Sequence, residues 1–489
     1  TYATNAFFGS VVAYGGSGYA AGGAGTIYSA ATPKTTGQLL VDNGDQAGTN
    51  TPLTLSEVVD LTIQGGAVGT LPGSLSLRNL LVASNGWLSA GSPTVVNVTS
   101  NATLQEGGGI IADGAGYAGN QGPGAGKYAV STYAYTAGGG GYGGYGAAGG
   151  GTAAYGGLAY GSVVQSVERG SGGGCSPTVM VLPDMGAGAG GGAIQLNVIG
   201  LLLLNGRISA DGTAGLAEGS GGGSGGGVML TVGTLAGAGS ISANGGMGNG
   251  TGLFGGGGGG GGRIAINYGL NLFFGMTSAR GGGGCAWGGA GTIYSKARNQ
   301  SLGQVLMDNG GQPGTNTTLG ASSPGAVDLT IRGGAVLIPQ ASQAFGNLVI
   351  GSGGWVSISN QTLTVSGNAT IQAGGGLRAD STGYPSGQGT GAGRDASGGI
   401  YGYVGGGGGY GGYGGSGAGT QYSGGPVIFA AGGSTYGNVT APVDMGSGGG
   451  GYLPSAPGGS GGGVVRLTVT GLLQVDGRIS AAGAPGGGQ

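Results

Sequence analysis

Apolar residues fall along this chain in short alternating runs. In the first half these runs are Thr26–Tyr28, Gln38–Val41, Val59–Ile63, Ser76–Val82, Trp87–Ser89, Val95–Val98, Thr103–Gln105 and Ile110–Ala112. Each is rich in Leu, Ile, Val and Thr, and NG, DNG, GG and PGS turns separate them. None has the period of an amphipathic helix. The rhythm is clearest in Val95–Gly114 (VVNVTSNATLQEGGGIIADG), where apolar positions alternate with Thr, Asn and Ser, break at Gly and resume. It predicts an all-β chain without α-helix, built as rungs of a right-handed parallel β-solenoid whose inward residues stack coil on coil.

Between these runs lie tracts of glycine with tyrosine: Ala137–Gly161, Gly219–Gly227, Gly255–Gly262, Gly402–Gly419 and Gly446–Gly463. Flexible linker is the simple reading of that composition. Order is favoured by the recurrence of the tract with its tyrosines in register (Tyr142/Tyr410, Tyr145/Tyr413) and by its scarcity of Ser and charge. The ordered form is a sheet of polyglycine-II helices, in which Gly255–Gly262 would span about 25 Å at roughly 3.1 Å per residue. Ordering glycine is entropically costly, so only a dense backbone hydrogen-bond lattice could offset it.

The chain also says one long thing almost twice. GGAGTIYS at Gly22–Ser29 returns at Gly288–Ser295, DLTIQGGAV at Asp60–Val68 returns as DLTIRGGAV at Asp328–Val336, and GGGGYGGYG at Gly138–Gly146 returns at Gly406–Gly414. The run around Trp87 returns around Trp355. Two units follow, residues 1–266 and 267–489, the second lacking a last module, Ala217–Asn267 in the first. Tyr2…Phe7-Phe8-Gly9 matches Tyr268…Phe273-Phe274-Gly275, so the sequence opens just after one rung and closes just before another. Uncapped solenoid ends invite pairing with another chain, which predicts head-to-tail stacking into a filament.

Composition narrows the class. Gly numbers 139 in 489 residues while Pro numbers 16, with no strict triplet, which excludes collagen. Charged residues are 6% and hydrophobic ones 38%, the reverse of a disordered chain. Net charge is −2 with scattered basic residues, so no nucleic-acid partner is expected. The longest apolar stretch, Ile194–Leu204, is short and interrupted, so no membrane span is expected. No signal peptide is visible, as in a mature extracellular or cell-surface protein. Sequons at Asn97, Asn101, Asn249, Asn299, Asn316, Asn360, Asn368 and Asn438 agree with export and mark glycosylation candidates.

After several glycine tracts comes an apolar strand bearing Arg: GRIAINY at Gly262–Tyr268, GRISA at Gly206–Ala210 and again at Gly477–Ala481. This alternation resembles the glycine-rich repeat regions of large bacterial surface and adhesin-like β-helix proteins. The resemblance implies a surface or matrix location on a β-helical framework, and it carries over no catalytic or ligand residue.

Candidate chemistry is sparse. His is absent, which removes the commonest general base and metal ligand. Cys175 and Cys285 stand at non-equivalent places, open to a disulfide, to burial as free thiols or to a link between chains. The recurrent acids Asp42/Asp308, Asp60/Asp328, Asp113/Asp380 and Asp184/Asp444 sit beside Gly or at strand edges, as Asx-turn residues do. Calcium is the one cofactor they could serve, although the D-x-D spacing is missing. Glu57, Glu106, Glu168 and Glu218 have no counterpart in the second unit, so a duplicated carboxylate pair for glycoside hydrolysis is not expected. No Gly-Lys-Ser/Thr occurs, so no phosphate loop is expected. The expectation is a non-enzymatic extracellular structural protein whose partner is itself. The alternative is a surface adhesin or fibre-tip protein that stacks Tyr-rich faces on glycans.

Overall fold

The structure is a computed structural model. It describes the whole chain except residues 34–35, 72, 92, 131–134, 151–153, 176–185, 321–325, 398–402, 421–424, 452–456 and 488–489. The described residues are all-β, with mostly parallel sheets, irregular glycine segments and a single 3-10 turn at Gly252–Phe254. Two compact units divide the chain, Thr1–Val336 and Leu337–Gln489. The sequence boundary between 266 and 267 runs through the strand Arg263–Phe273, which pairs with Gly227–Gly237 on one side and Thr292–Ala297 on the other. The residues that repeat and the residues that pack together are thus divided at different places.

In the first unit, parallel strands stack in register. Thr94–Val98 pairs with Ala193–Leu204, which pairs with Gly227–Gly237, which pairs with Arg263–Phe273. Val96, Leu196, Leu230 and Ile266 fall at matched positions and are all buried, because period-two alternation sends every second side chain inward. Shorter strands stack likewise: Trp87–Ala90, Gly109–Ile111, Arg207–Ser209 and Ser240–Ser242 bring Leu88, Ile110, Ile208 and Ile241 into one buried column. The parallel rule breaks at two hairpins, Thr26–Ser29 with Gly37–Asp42 and Thr292–Ala297 with Gln304–Asp308, which are antiparallel. Their connections are too short for the crossover that a parallel pair needs.

The second unit repeats the stacking. Gln343–Ile350 pairs with Thr362–Val365 and Ala369–Ile371, and these pair with Arg466–Val469 and Leu473–Val475. Trp355–Ser357, Gly376–Arg378 and Arg478–Ser480 form the companion series.

The glycine tract Gly255–Gly262 is fully bonded through its backbone. The amides of Gly256, Gly259 and Gly262 donate to Asn249, Gly246 and Ala243; those of Gly257 and Gly260 donate to Ala137 and Gly140; those of Gly258 and Gly261 donate to Ala286 and Gly289. All seven bonds measure 2.7–3.1 Å. Its carbonyls rotate in the same way, Gly257 and Gly260 accepting from Gly222 and Gly225, and Gly256 and Gly259 from Cys285 and Gly282. Each residue turns its peptide to a different neighbouring segment, and the pattern returns after three residues. A Cβ at Gly256, Gly259 or Gly262 would press into the carbonyl oxygen of Ser220, Gly223 or Gly226, so the segments approach closer than any side chain allows.

Candidate functional site

Among the described residues, a cluster of charged and aromatic side chains lies where the glycine segments of the first unit meet its stacked strands. Arg263 follows directly on the tract and opens its strand, so its side chain is wholly buried. Its Nε donates to the carbonyl of Tyr160 (2.9 Å), Nη1 to Thr292 Oγ1 (3.1 Å) and Nη2 to the carbonyl of Thr318 (3.4 Å). The guanidinium lies 5.7 Å from the centre of the Tyr142 ring. Tyr142, also buried, packs on Tyr160 with ring centres 4.9 Å apart and donates its hydroxyl to Glu168 Oε2 at 2.9 Å. Burial pulls the Arg263 guanidinium down from its ordinary value. Burial first, then the charge of Glu168, pushes the Tyr142 phenol well above its own. Every polar atom named here has a partner within the chain. The cluster ties three glycine segments to the strand stack.

The second unit contains the counterpart. Tyr410 packs on Tyr436 with ring centres 5.1 Å apart. The Tyr436 hydroxyl donates to the Met445 carbonyl and accepts from Ser447 Oγ (2.8 Å), as Tyr160 bonds the Arg169 carbonyl and Ser171 Oγ (2.9 Å). Gly161 and Gly437, each beside the first tyrosine, hold positive φ of 74° and 86°. Glu168 therefore has an equivalent, Asp444, in place of the pairing of Asp444 with Asp184 that the sequence alone suggests. Asp184 lies outside the described residues. Asp444 is one methylene shorter than Glu168, and the buried Tyr410 hydroxyl has no hydrogen-bond partner among the described residues. The E-to-D change, and a second Asp-Met-Gly at Asp184–Gly186, hid this pair from motif matching, although each acid follows its tyrosine, Tyr160 or Tyr436, at the same spacing.

The recurrent aspartates differ in what they bind. Asp42 and Asp308 close Asx turns, accepting from the amides of Gly44 (2.9 Å) and Gly310 (2.8 Å). Asp113 and Asp380 instead reach across to the next strand layer, accepting from the amides of Asp211 (2.9 Å) and Ala482 (2.7 Å). Asp211 continues the first ladder to Asn244 (2.6 Å), and burial raises its pKa. Asp60 binds Arg78 and Asn79, and that Arg78 hydrogen bond leads the causes that lower its pKa. Asp328 also has a partner. Among the described residues no three Cys, Asp or Glu side chains converge as metal ligands would.

Both cysteines are free thiols, Cys175 buried and Cys285 exposed. Among the sequons, Asn299 and Asn360 are exposed, as are Asn101, Asn368 and Asn438, whose Oδ1 atoms accept backbone amides. Asn97 is half-buried and bonded to Asn197 (2.9 Å); Asn249 donates to the Leu216 carbonyl (2.8 Å); Asn316 is half-buried. Of the tyrosines read as possible sugar platforms, Tyr142 is buried and Tyr413 is 81% exposed.

A cleft of about 530 Å³ in the second unit is lined by Gly405–Gly409, Tyr410, Ser447 and Gly458–Gly463 among others, with no carboxylate, amine or thiol. A second, of about 520 Å³ in the first unit, holds Asp328 and Arg332 beside Phe273, Ile293 and Leu306. Among the described residues no helix is long and apolar enough to cross a membrane. Comparison with protein families, curated proteins and solved structures found no match.

Proposed function

We propose that this chain is a non-enzymatic extracellular structural protein, in which β-solenoid rungs and polyglycine-II helices share one backbone lattice, and that it polymerises head to tail into filaments of a matrix, sheath or appendage. One observation carries the reading: the three-residue rotation of hydrogen bonds around Gly255–Gly262. Three residues per turn, with peptides bonded outward in all directions, is the geometry that polyglycine II requires. The backbone angles at Gly255, φ −82° and ψ 141°, lie close to that conformation as well.

Function here means cohesion. Backbone bonds run between strands, aliphatic columns fill the interior, and a 6% charged composition opposes lateral packing with little repulsion. The buried Arg263 and Tyr142 and the half-buried Glu168 serve this purpose too, since their polar atoms are taken up in bonds within the chain.

Negative-stain electron microscopy of the purified native protein, without ligand or metal, tests the reading. Uniform filaments with one chain per axial repeat are expected. Dispersed single particles would refute the filament and favour the glycan-binding adhesin, whose exposed rings would include Tyr413.

A further inference from the structure

We propose that Gly411–Tyr413 of one copy docks on Gly23, Thr49 and Asn50 of the next, repeating between chains a contact that the chain already makes within itself. This rests on the filament reading and supplies its junction.

The template is internal to the first unit. The Tyr145 amide donates to the Asn316 carbonyl (2.9 Å), while the Gly289 amide (2.8 Å) and Thr315 Oγ1 (2.9 Å) both donate to the Tyr145 carbonyl. Gly144 bridges Thr317, and a Cβ on it would press into the Gly289 carbonyl. Gly143–Tyr145 is thus a segment seated on a glycine hairpin and the short strand Asn316–Thr317 beside it, joined to that strand by a single bridge.

Both halves of this contact occur a second time, already shaped. The hairpin Ala13–Gly25 copies Ala279–Gly291: Gly25 donates to Ala13 (2.6 Å) as Gly291 does to Ala279 (2.6 Å). Gly15 donates to Asn43 Oδ1 (2.8 Å) as Gly281 does to Asn309 Oδ1 (2.8 Å). Thr51 Oγ1 donates to Ala24 (2.6 Å) as Thr317 Oγ1 does to Ala290 (2.5 Å). On the other half, Tyr410 donates to Gly412 (3.1 Å) as Tyr142 does to Gly144 (3.1 Å), and Gly414 to Gly433 (2.9 Å) as Gly146 to Gly157 (2.8 Å).

The difference lies in occupancy. Gly143 and Gly144 are buried, whereas Gly411, Gly412 and Tyr413 are exposed, and no described atom lies within 4 Å of a Cβ placed on Gly411 or Gly412. Thr49 and Asn50 are exposed where Thr315 and Asn316 are half-buried. A second copy offers each face the partner for which it is shaped: Tyr413 N–H to the Asn50 carbonyl, and Gly23 N–H with Thr49 Oγ1 to the Tyr413 carbonyl. Because the two faces differ, the contact is heterologous, and where its rotation does not close a ring it extends into a filament.

The test compares native protein with Gly412→Val and Thr49→Val by sedimentation and electron microscopy across a concentration series, with circular dichroism as the check on folding. Gly412→Val meets open space within its own chain, so its dichroism should match native protein, while its critical concentration rises by roughly tenfold or more. Thr49→Val, at an exposed position, should raise it by about fivefold, the effect of one ordinary hydrogen bond. Native filaments with both variants assembling at the native concentration would overturn this junction and leave the filament reading standing. Native protein that stays dispersed would overturn both. If Gly412→Val fails to fold, Thr49→Val alone decides.

Discussion

At the scale of the residue, glycine acts here through what it lacks. Gly259 sits where a Cβ would enter the carbonyl of Gly223, so Gly259→Ala should lower the unfolding free energy by roughly 1–3 kcal/mol in denaturant titration. Gly411→Ala meets no described atom within 4 Å and should stay within about 0.5 kcal/mol of the dispersed native chain. Equal losses at both positions would mean that the tracts are not selectively packed. The buried tyrosines give a second prediction. Burial raises the pKa of both Tyr160 and Tyr142 above the ordinary 10.0. The folded chain therefore holds these protons more tightly than the unfolded one. The stabilisation is complete below the unfolded value and is lost as pH rises through it towards the folded values. Denaturation midpoints should fall across the alkaline range, with a shallower fall in Tyr160→Phe; identical slopes would contradict the assignment. Arg263 was legible as the residue that follows a glycine tract. Its neighbour Glu168 was not, because its equivalent is a shorter acid, Asp444, whose Asp-Met-Gly also matches Asp184–Gly186.

At the scale of the element, the strands were readable and their ends nearly so. The alternation at Val59–Ile63 and Val95–Val98 corresponds to strands Val59–Gln64 and Thr94–Val98. Thr103–Gln105 and Ile110–Ala112 correspond to Ala102–Leu104 and Gly109–Ile111, each displaced by one residue. Boundaries slip because glycine-rich turns leave no apolar residue to mark where pairing stops. The antiparallel hairpins escaped notice since alternation looks the same in either direction. Nor did the sequence reveal that Asp113 bonds the following layer and not its own turn, a partner 98 residues away. The aliphatic column supplies the energetic test. Leu196 is wholly buried between Val96 and Leu230, so Leu196→Ala should cost roughly 2–5 kcal/mol by denaturant titration. A loss below about 1 kcal/mol would show that the column is not a close-packed core.

At the scale of the whole molecule, the account depends on whether the glycine tracts are lattice or linker. Composition favours neither decisively, which is why the sequence alone left both readings standing. The period-three bonding of Gly255–Gly262 supports the proposed lattice, since a linker has no reason to point successive amides at different neighbours in rotation. Amide hydrogen exchange on the purified protein, followed peptide by peptide, tests this most directly. Gly255–Gly262 should be protected as strongly as the strand Ala193–Leu204, while Gly411 and Gly412 exchange freely in dispersed chains and become protected on assembly. Exchange of Gly255–Gly262 at the rate of an unstructured chain would contradict the account.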